Sequence, residues 1–343
     1  DISTEEAERI KKIKGVKSVS PNYEVEATLM DSVPLIGADK VWQLDTDGNN
    51  CVVSGKECLT GKGIKIGIID TGVDYTHADL GGCFGNNCKV AWGYDFVNKD
   101  SDPMDDHGHG THVAATAGGK GVLQGVAPDA TIYAYKVLSA GGSGSFSNVI
   151  AAIERSVDPD QDKDFSDHLD VISLSLGAYC GKYPPECGPD DSVSRAIDNA
   201  VSAGVVAVIA AGNSGPGEKT IGSPGTAREA ITVGAINKQK IVASFSSRGP
   251  VEWIDVQGNF QSIMKPDVVA PGVFICAAQW GKAWDESKCS TLVDEEHVQI
   301  SGTSMAAPHV AGAVALLKQK HPDWSSKDIK SLIKFSADNL NYT

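Results

Sequence analysis

No apolar run in this 343-residue chain is long enough to cross a bilayer, so a membrane-spanning helix is excluded. Positive charge is the minority. Thirty Lys and Arg stand against 44 Asp and Glu, and a net charge of −14 argues against nucleic acid or an anionic membrane surface as partner. No G-x-S-x-G elbow occurs, which weakens a lipase-type acyl hydrolase. Internal repeats and low-complexity linkers are also lacking, and the length suits one large α/β domain plus a small extra piece. None of the cysteines has zinc-finger spacing with histidine.

The chain does have eight cysteines, in four close couples: Cys51 with Cys58, Cys83 with Cys88, Cys180 with Cys187, and Cys276 with Cys289. Nearest-neighbour pairing is the simplest of the possible connectivities, each bridge closing a short loop rich in Gly, Asn or Pro. Four local disulfides imply an oxidising, extracytoplasmic setting, hence a secreted protein. Each should add about 2–3 kcal/mol through chain entropy.

Hydrophobic residues make up 41% of the chain, ample for a core. From Gly63 onward, strand-like runs at 64–69, 90–96, 131–138, 170–175, 205–211 and 230–234 alternate with helical ones near 109–118, 146–157, 190–203, 303–320 and 326–336. Such alternation predicts βαβ units and a mostly parallel sheet.

Four segments carry chemistry. Asp70 ends the Ile- and Gly-rich run from Gly63, which reads as a buried parallel strand. Open α/β sheets place their chemistry at the carboxyl ends of such strands, and a buried carboxylate needs a partner such as an imidazole. His109 stands among glycines in His107-Gly108-His109-Gly110-Thr111-His112, just before the Ala-rich run to Ala117. A helix N-terminus disfavours the imidazolium there, which suits a general base. Three close histidines also raise metal binding, but no cysteine or downstream ligand pair supports it. Ser304 opens an apolar segment running to Leu317, followed by Lys318, Lys320 and Pro322, a helix with basic residues in its last turn. Pro308 lies early in it, where a missing N–H does least harm. Asn213 follows the buried-strand pattern Val205 to Ala211 and enters a Gly/Ser/Pro turn, where its amide could meet an oxyanion. Alone, Asp70 and Asn213 read equally as turn residues and Ser304 as an N-cap. Together they are a carboxylate, a base, a nucleophile and an oxyanion donor.

The order Asp, His, Asn, Ser with these flanks resembles the subtilisin-like serine proteases, or subtilases, from about Val33 to about Asn341. That Asp, His, Ser order is a known signature of subtilisin and is matched here, not deduced. The resemblance implies an α/β, subtilisin-like fold: a mostly parallel central β-sheet flanked by helices, in a domain spanning 30–343. It implies Asp70, His109 and Ser304 as triad, Asn213 as oxyanion donor, and His112 as a supporting histidine. Gly142-Ser143-Gly144 and Ser175-Leu176-Gly177 would then be the edges between which a peptide substrate adds as a strand. Gly222 would open an S1 pocket for large apolar residues, and Ser223-Pro224 resembles a segment with a cis bond. Protein and peptide substrates, and action as a monomer, are expected. The alternative is an inactive, calcium-binding protein on the same scaffold.

Residues 1–29 resemble the second half of an inhibitory propeptide, a partial α+β segment: Asp1 to Thr4 leading into a capped helix over Glu5 to Lys12, then strand, turn and strand over Val16 to Val25. Ser32-Val33-Pro34 resembles a mature start. Self-cleavage is expected after Leu29, or after Met30, which would place Ala27 at P4. The C-terminal end reads as cut short, and Asn341-Tyr342-Thr343 matches a glycosylation sequon.

Calcium is the expected cofactor. Asp158, Asp160, Asp162 and Asp164, with Asp167 beyond, alternate in one loop, as in D-x-D-x-D calcium loops. Lys163 replaces the usual glycine, and no glutamate closes the loop. Asp95, Asp100 and Asp102 form a second cluster whose spacing resembles a calcium site of heat-stable subtilases. Asp79 matches a ligand of the family's best-known calcium loop, which is shortened here at Gly118 to Gly121.

Overall fold

A computed structural model of the chain describes residues 29–178, 188–255, 257–290 and 294–340, together with Arg9 and Ile13. The strand pair expected over Val16 to Val25, most of the helix expected before it, and the sequon at Asn341 lie outside the described residues.

The strands are β1 (Lys65–Asp70), β2 (Val90–Asp95), β3 (Thr131–Lys136), β4 (Val171–Leu174), β5 (Val206–Ala210), β6 (Ile231–Ile236), β7 (Val251–Ile254), β8 (Phe260–Ile263), β9 (Val268–Pro271), β10 (Ile275–Ala278) and β11 (His297–Ile300). Seven form a parallel sheet in the order β2-β3-β1-β4-β5-β6-β9. After β1 the chain places β2 at the edge on one side and β3 between them, then crosses over to build β4, β5, β6 and β9 outward on the other. The carboxyl end of β1 is therefore the switch point of the sheet, and Asp70 sits there.

The strands read as unbroken apolar runs because both faces are covered. Ile66, Ile68, Val206 and Val208 pack into a core shared with the helices His109–Gly118 and Thr303–Lys320. Ile69, Ile172, Ala207 and Ile209 face the opposite way, onto Phe146–Val157 and Ser192–Ser202. Five helices lie where periodicity placed them, including Ser326–Ser336, which carries a capping box between Ser325 and Asp328. β9 completes the sheet, and the hairpins β7–β8 and β10–β11 lie outside it; the sequence pattern did not mark these short strands.

Three of the four expected disulfides fall on described residues. Cys51–Cys58, Cys83–Cys88 and Cys276–Cys289 are bridged as expected, with Cα atoms 5.2, 5.6 and 5.6 Å apart. The fourth expectation, a bridge between Cys180 and Cys187, concerns two cysteines that both lie outside the described residues. The Ser223–Pro224 bond is cis. The segment Leu29–Leu35 is helical. Ser32 is buried against the Thr303–Lys320 helix, where its hydroxyl meets His309 Nε2 at 2.8 Å while Nδ1 of that ring donates to the Met305 carbonyl at 2.7 Å.

Candidate active site

Asp70 is wholly buried at the end of β1, and its Oδ1 accepts from His109 Nδ1 at 2.7 Å and from Thr71 N at 2.8 Å. A carboxylate can only accept here, so the imidazole carries its proton on Nδ1 and Nε2 is left for the cleft. Gly110 permits this closeness. A Cβ there would lie 2.1 Å from the Gly72 carbonyl oxygen and 3.1 Å from Asp70 Cβ, so only glycine lets the helix meet the strand end.

The His109 helix has no side-chain cap from its N-cap residue, Gly108. Asp105 does that work. Its buried carboxylate accepts from Gly108 N at 2.9 Å, from Thr111 N at 2.9 Å and from Thr71 Oγ1 at 2.9 Å. A carboxylate at a helix N-terminus is favoured by the dipole. Burial works against the His109 imidazolium, but the charge and hydrogen bond of Asp70 and the charge of Asp105 outweigh it, and the pKa is raised above the usual histidine value.

Ser304 is the second residue of its helix, so its own N–H has no partner within the helix. Pro308 stands inside the helix, not in its first turn, and its missing N–H would have bonded the Ser304 carbonyl. Ser175 Oγ donates to that carbonyl instead, at 2.7 Å, and Ser304 Oγ donates back to the Ser175 carbonyl at 3.0 Å. The Ser304 hydroxyl thus rests against Ser175 on the cleft wall.

Asn213 Oδ1 accepts from Thr303 N at 2.9 Å and Thr303 Oγ1 at 3.0 Å. A backbone N–H can only donate, so the oxygen is fixed on Thr303 and Nδ2 is the end left for the cleft. His109, Asn213 and Ser304 all line one cleft of about 600 Å³, with Gly142 to Gly144, Ser175 to Gly177 and Gly222.

Residues 61–343 match the model of the subtilase family. The chain belongs to the subtilase family. It is 38% identical over 300 residues to serine protease AprX of Bacillus subtilis, covering 84% of this chain and 64% of that protein. Minor extracellular protease Vpr of the same organism is 43% identical over 496 residues, covering 96% and 55%. This chain therefore spans about 64% and 55% of the length of these two relatives. Subtilisin DY of Bacillus licheniformis is 36% identical, with 91% of this chain and 93% of that protein covered. Among solved structures, a cold adapted subtilisin-like serine proteinase matches with TM-score 0.63 and 29% identity, over 87% of this chain and 90% of that one.

His112 of this subtilase is buried in the His109 helix, and its Nε2 donates to the Ile275 carbonyl at 2.9 Å. Burial pushes its pKa down to about 3, so it stays neutral. The three neighbouring histidines have different settings: His107 lines the cleft, His109 holds Asp70 and His112 holds β10. His112→Ala is expected to cost about 1–3 kcal/mol, because the buried Ile275 carbonyl loses its donor. Denaturant unfolding would show this, while the cleft chemistry survives in the folded fraction.

Sequence reading missed two supports of the cleft. Asp105 is one. Lys136 is the other: it pairs in register with Asp70, is buried, and its ammonium donates to the Thr71 carbonyl at 2.7 Å, the Leu138 carbonyl at 2.9 Å, and Asp106. A lone charge ending an apolar strand was the signal for both Asp70 and Lys136.

The acidic groups divide. Asp158, Asp160 and Asp167 bring carboxylate oxygens within 4.8 Å of one another. Asp158 Oδ1 and Asp167 Oδ1 are buried without a hydrogen-bond partner. Burial, with the charge of Asp160 added, raises the Asp167 pKa. Asp162 and Asp164 do not join them; Asp162 accepts from Asp164 N at 2.7 Å and Asp164 from Ser166 N at 3.0 Å, each shaping the turn. The second expected cluster does not assemble among the described residues. Asp95 is occupied by Val97 N, Asn98 N and Asn98 Nδ2, Asp100 by Asp102 N, and Asp102 by Tyr75 OH and Met104 N. Asp79 is likewise taken, by Val122 N at 2.7 Å and by His297 Nε2 at 2.8 Å, whose Nδ1 meets Asp294 at 2.7 Å. Burial opposes the His297 charge, but hydrogen bonds and charge from the two carboxylates raise its pKa, and the ring bridges them.

Proposed function

We propose that this subtilase is a serine endopeptidase using Ser304 as nucleophile, His109 as general base, Asp70 as its orienting carboxylate and Asn213 as oxyanion donor. The observation that carries the reading is the His109 ring. Asp70 fixes its tautomer, leaving Nε2 open to the cleft that Ser304 and Asn213 also line.

In this mechanism a peptide lies between Gly142–Gly144 and Ser175–Gly177, with a large apolar P1 side chain beside Gly222. The Ser304 hydroxyl turns from the Ser175 carbonyl to His109 Nε2, gives up its proton there, and attacks the P1 carbonyl carbon. Asn213 Nδ2 and the Ser304 N–H meet the oxyanion. His109 returns the proton to the leaving amine, and water then repeats the sequence on the acyl-enzyme. Labelling by a serine-directed organophosphonate, lost in Ser304→Ala, together with casein digestion, tests this. An unlabelled, casein-inert protein would favour the alternative of an inactive scaffold.

Residues 1–29 act in this reading as an inhibitor that the enzyme removes from itself, after Leu29 or Met30. Incubated enzyme is expected to show Met30 or Asp31 as a new N-terminus, and Ser304→Ala to stay uncut; N-terminal sequencing decides. The disulfides support a secreted protein.

Calcium fits the loop containing Asp158, Asp160 and Asp167: hard carboxylate oxygens converge, and two of them are buried with no donor. The ion would neutralise their repulsion and clamp the loop. A chelator should lower Tm, and the triple change Asp158→Ala, Asp160→Ala, Asp167→Ala should remove the difference. A Tm indifferent to chelator would make the loop a solvated acidic turn.

A further inference from the structure

The main cleft shares only His109, Asn213 and Ser304 with a second hollow of about 460 Å³. The acyl half of a substrate lies along Gly142–Gly144 and Ser175–Gly177, so the half that leaves must pass into this second hollow. Its walls include two aromatic residues, Phe274 and Trp284.

Both have unusual backbones. Phe274 has φ 51° and Trp284 has φ 53°, in the left-handed region that bulky side chains rarely enter. Both rings also face solvent, Phe274 at 60% and Trp284 at 36% exposure. Neither the backbone conformation nor the exposed ring helps folding, and strain of this kind gathers at ligand clamps.

Neighbouring groups anchor both residues. Phe274 N donates to Ser301 Oγ at 2.8 Å. Trp284 lies within the loop closed by Cys276–Cys289, its carbonyl accepts from Ser287 N at 2.7 Å, and its ring stands edge-on to His107, centroids 5.4 Å apart. Apart from His109, no titratable side chain among the described residues lines the hollow, so a charged group entering it finds no fixed counter-charge there.

We propose that Trp284 and Phe274 are specificity-determining residues that grip an aromatic or large aliphatic side chain at the first or second position after the scissile bond. Ring faces and edges pack best against flat apolar groups. The proposal rests on the endopeptidase reading above.

Acyl transfer tests it, because it reads the leaving side alone. An ester substrate acylates Ser304, and an added amine competes with water. The amine nitrogen bonds to the acyl carbon, the bond to Ser304 Oγ breaks, and the amine's proton passes through His109 to that oxygen. The readout is the ratio of peptide formed with phenylalanine amide to that formed with glycinamide. Native enzyme should favour the former by about tenfold or more. Trp284→Ala and Phe274→Ala should each lower the ratio several-fold, whatever their total activity, and Phe335→Ala, on the remote C-terminal helix, should not. Phe274 is the more exposed of the pair, so its variant serves should Trp284→Ala fail to fold. A native ratio near one, or a ratio unmoved in both variants, would overturn the proposal. An ester that never acylates native enzyme would instead remove the endopeptidase reading, and this proposal with it.

Discussion

Ser304→Ala is expected to lower kcat by roughly 10⁶-fold, the size of the same loss in subtilisin itself and not a value deduced from this geometry. The fold should survive, because among the described residues the only polar contact removed is the hydroxyl's own bond to the Ser175 carbonyl; Ser175 still satisfies the Ser304 carbonyl. Circular dichroism should therefore be native-like while casein digestion is lost. His109→Ala should fall comparably, since His112, the other imidazole of that helix, cannot replace it: it is buried and neutral, and its Nε2 is bound to Ile275. The pH profile gives a second check. A general base at His109 would have to be neutral, and the pKa of that ring is raised by Asp70 and Asp105 against the effect of burial. The acid limb of kcat/KM should therefore lie above the pH of an unperturbed histidine, about 6.5, and Asp105→Asn should move it downward. Full activity in His109→Ala, with loss in His112→Ala, would reverse the assignment of the base.

Asn213→Ala is expected to lower kcat by about 10²–10³-fold with KM little changed, again the magnitude of the corresponding donor in subtilisin. The reason lies in the orientation of the amide. Thr303 holds Oδ1 from two sides, so Nδ2 is placed before any substrate arrives and costs no reorganisation when charge develops. An oxyanion exists only in the transition state, so its donor should act on kcat and not on ground-state binding. Steady-state kinetics on a chromogenic peptide would show this. A change confined to KM would make Asn213 a contact for the bound peptide instead.

Much of this was legible in sequence because parallel strands buried on both faces leave unbroken apolar runs, and because helices between them keep a clear period. The six strands and five helices read from pattern are present. β9 was not read: it is four residues long, with Pro266 just before it and Pro271 at its end, so it lacks the run that marked β5 or β6. The groups meeting at the candidate site were named, but their supports were not. Asp105 acts through atoms on both sides of His109, and Lys136 through carbonyls that only the sheet brings together. Alternating aspartates did not by themselves tell which carboxylates meet: among the described residues Asp158, Asp160 and Asp167 come together, and Asp95, Asp100 and Asp102 do not. Cysteine spacing did better where it can be compared: three couples are bridged as neighbours, while the pairing of Cys180 with Cys187 stays an expectation, both residues lying outside those described.

Pro308 removes one hydrogen bond from the helix that carries Ser304, and Ser175 supplies the replacement from outside it. The wall that would align a substrate's backbone and the residue that would attack it are thus surveyed from one benchmark. If a bound peptide shifts that wall, the attacking residue shifts with it, and the alignment between carbonyl carbon and hydroxyl is carried along. A helix with an unbroken ladder would hold its serine more firmly within itself, but would lose track of where the peptide lies.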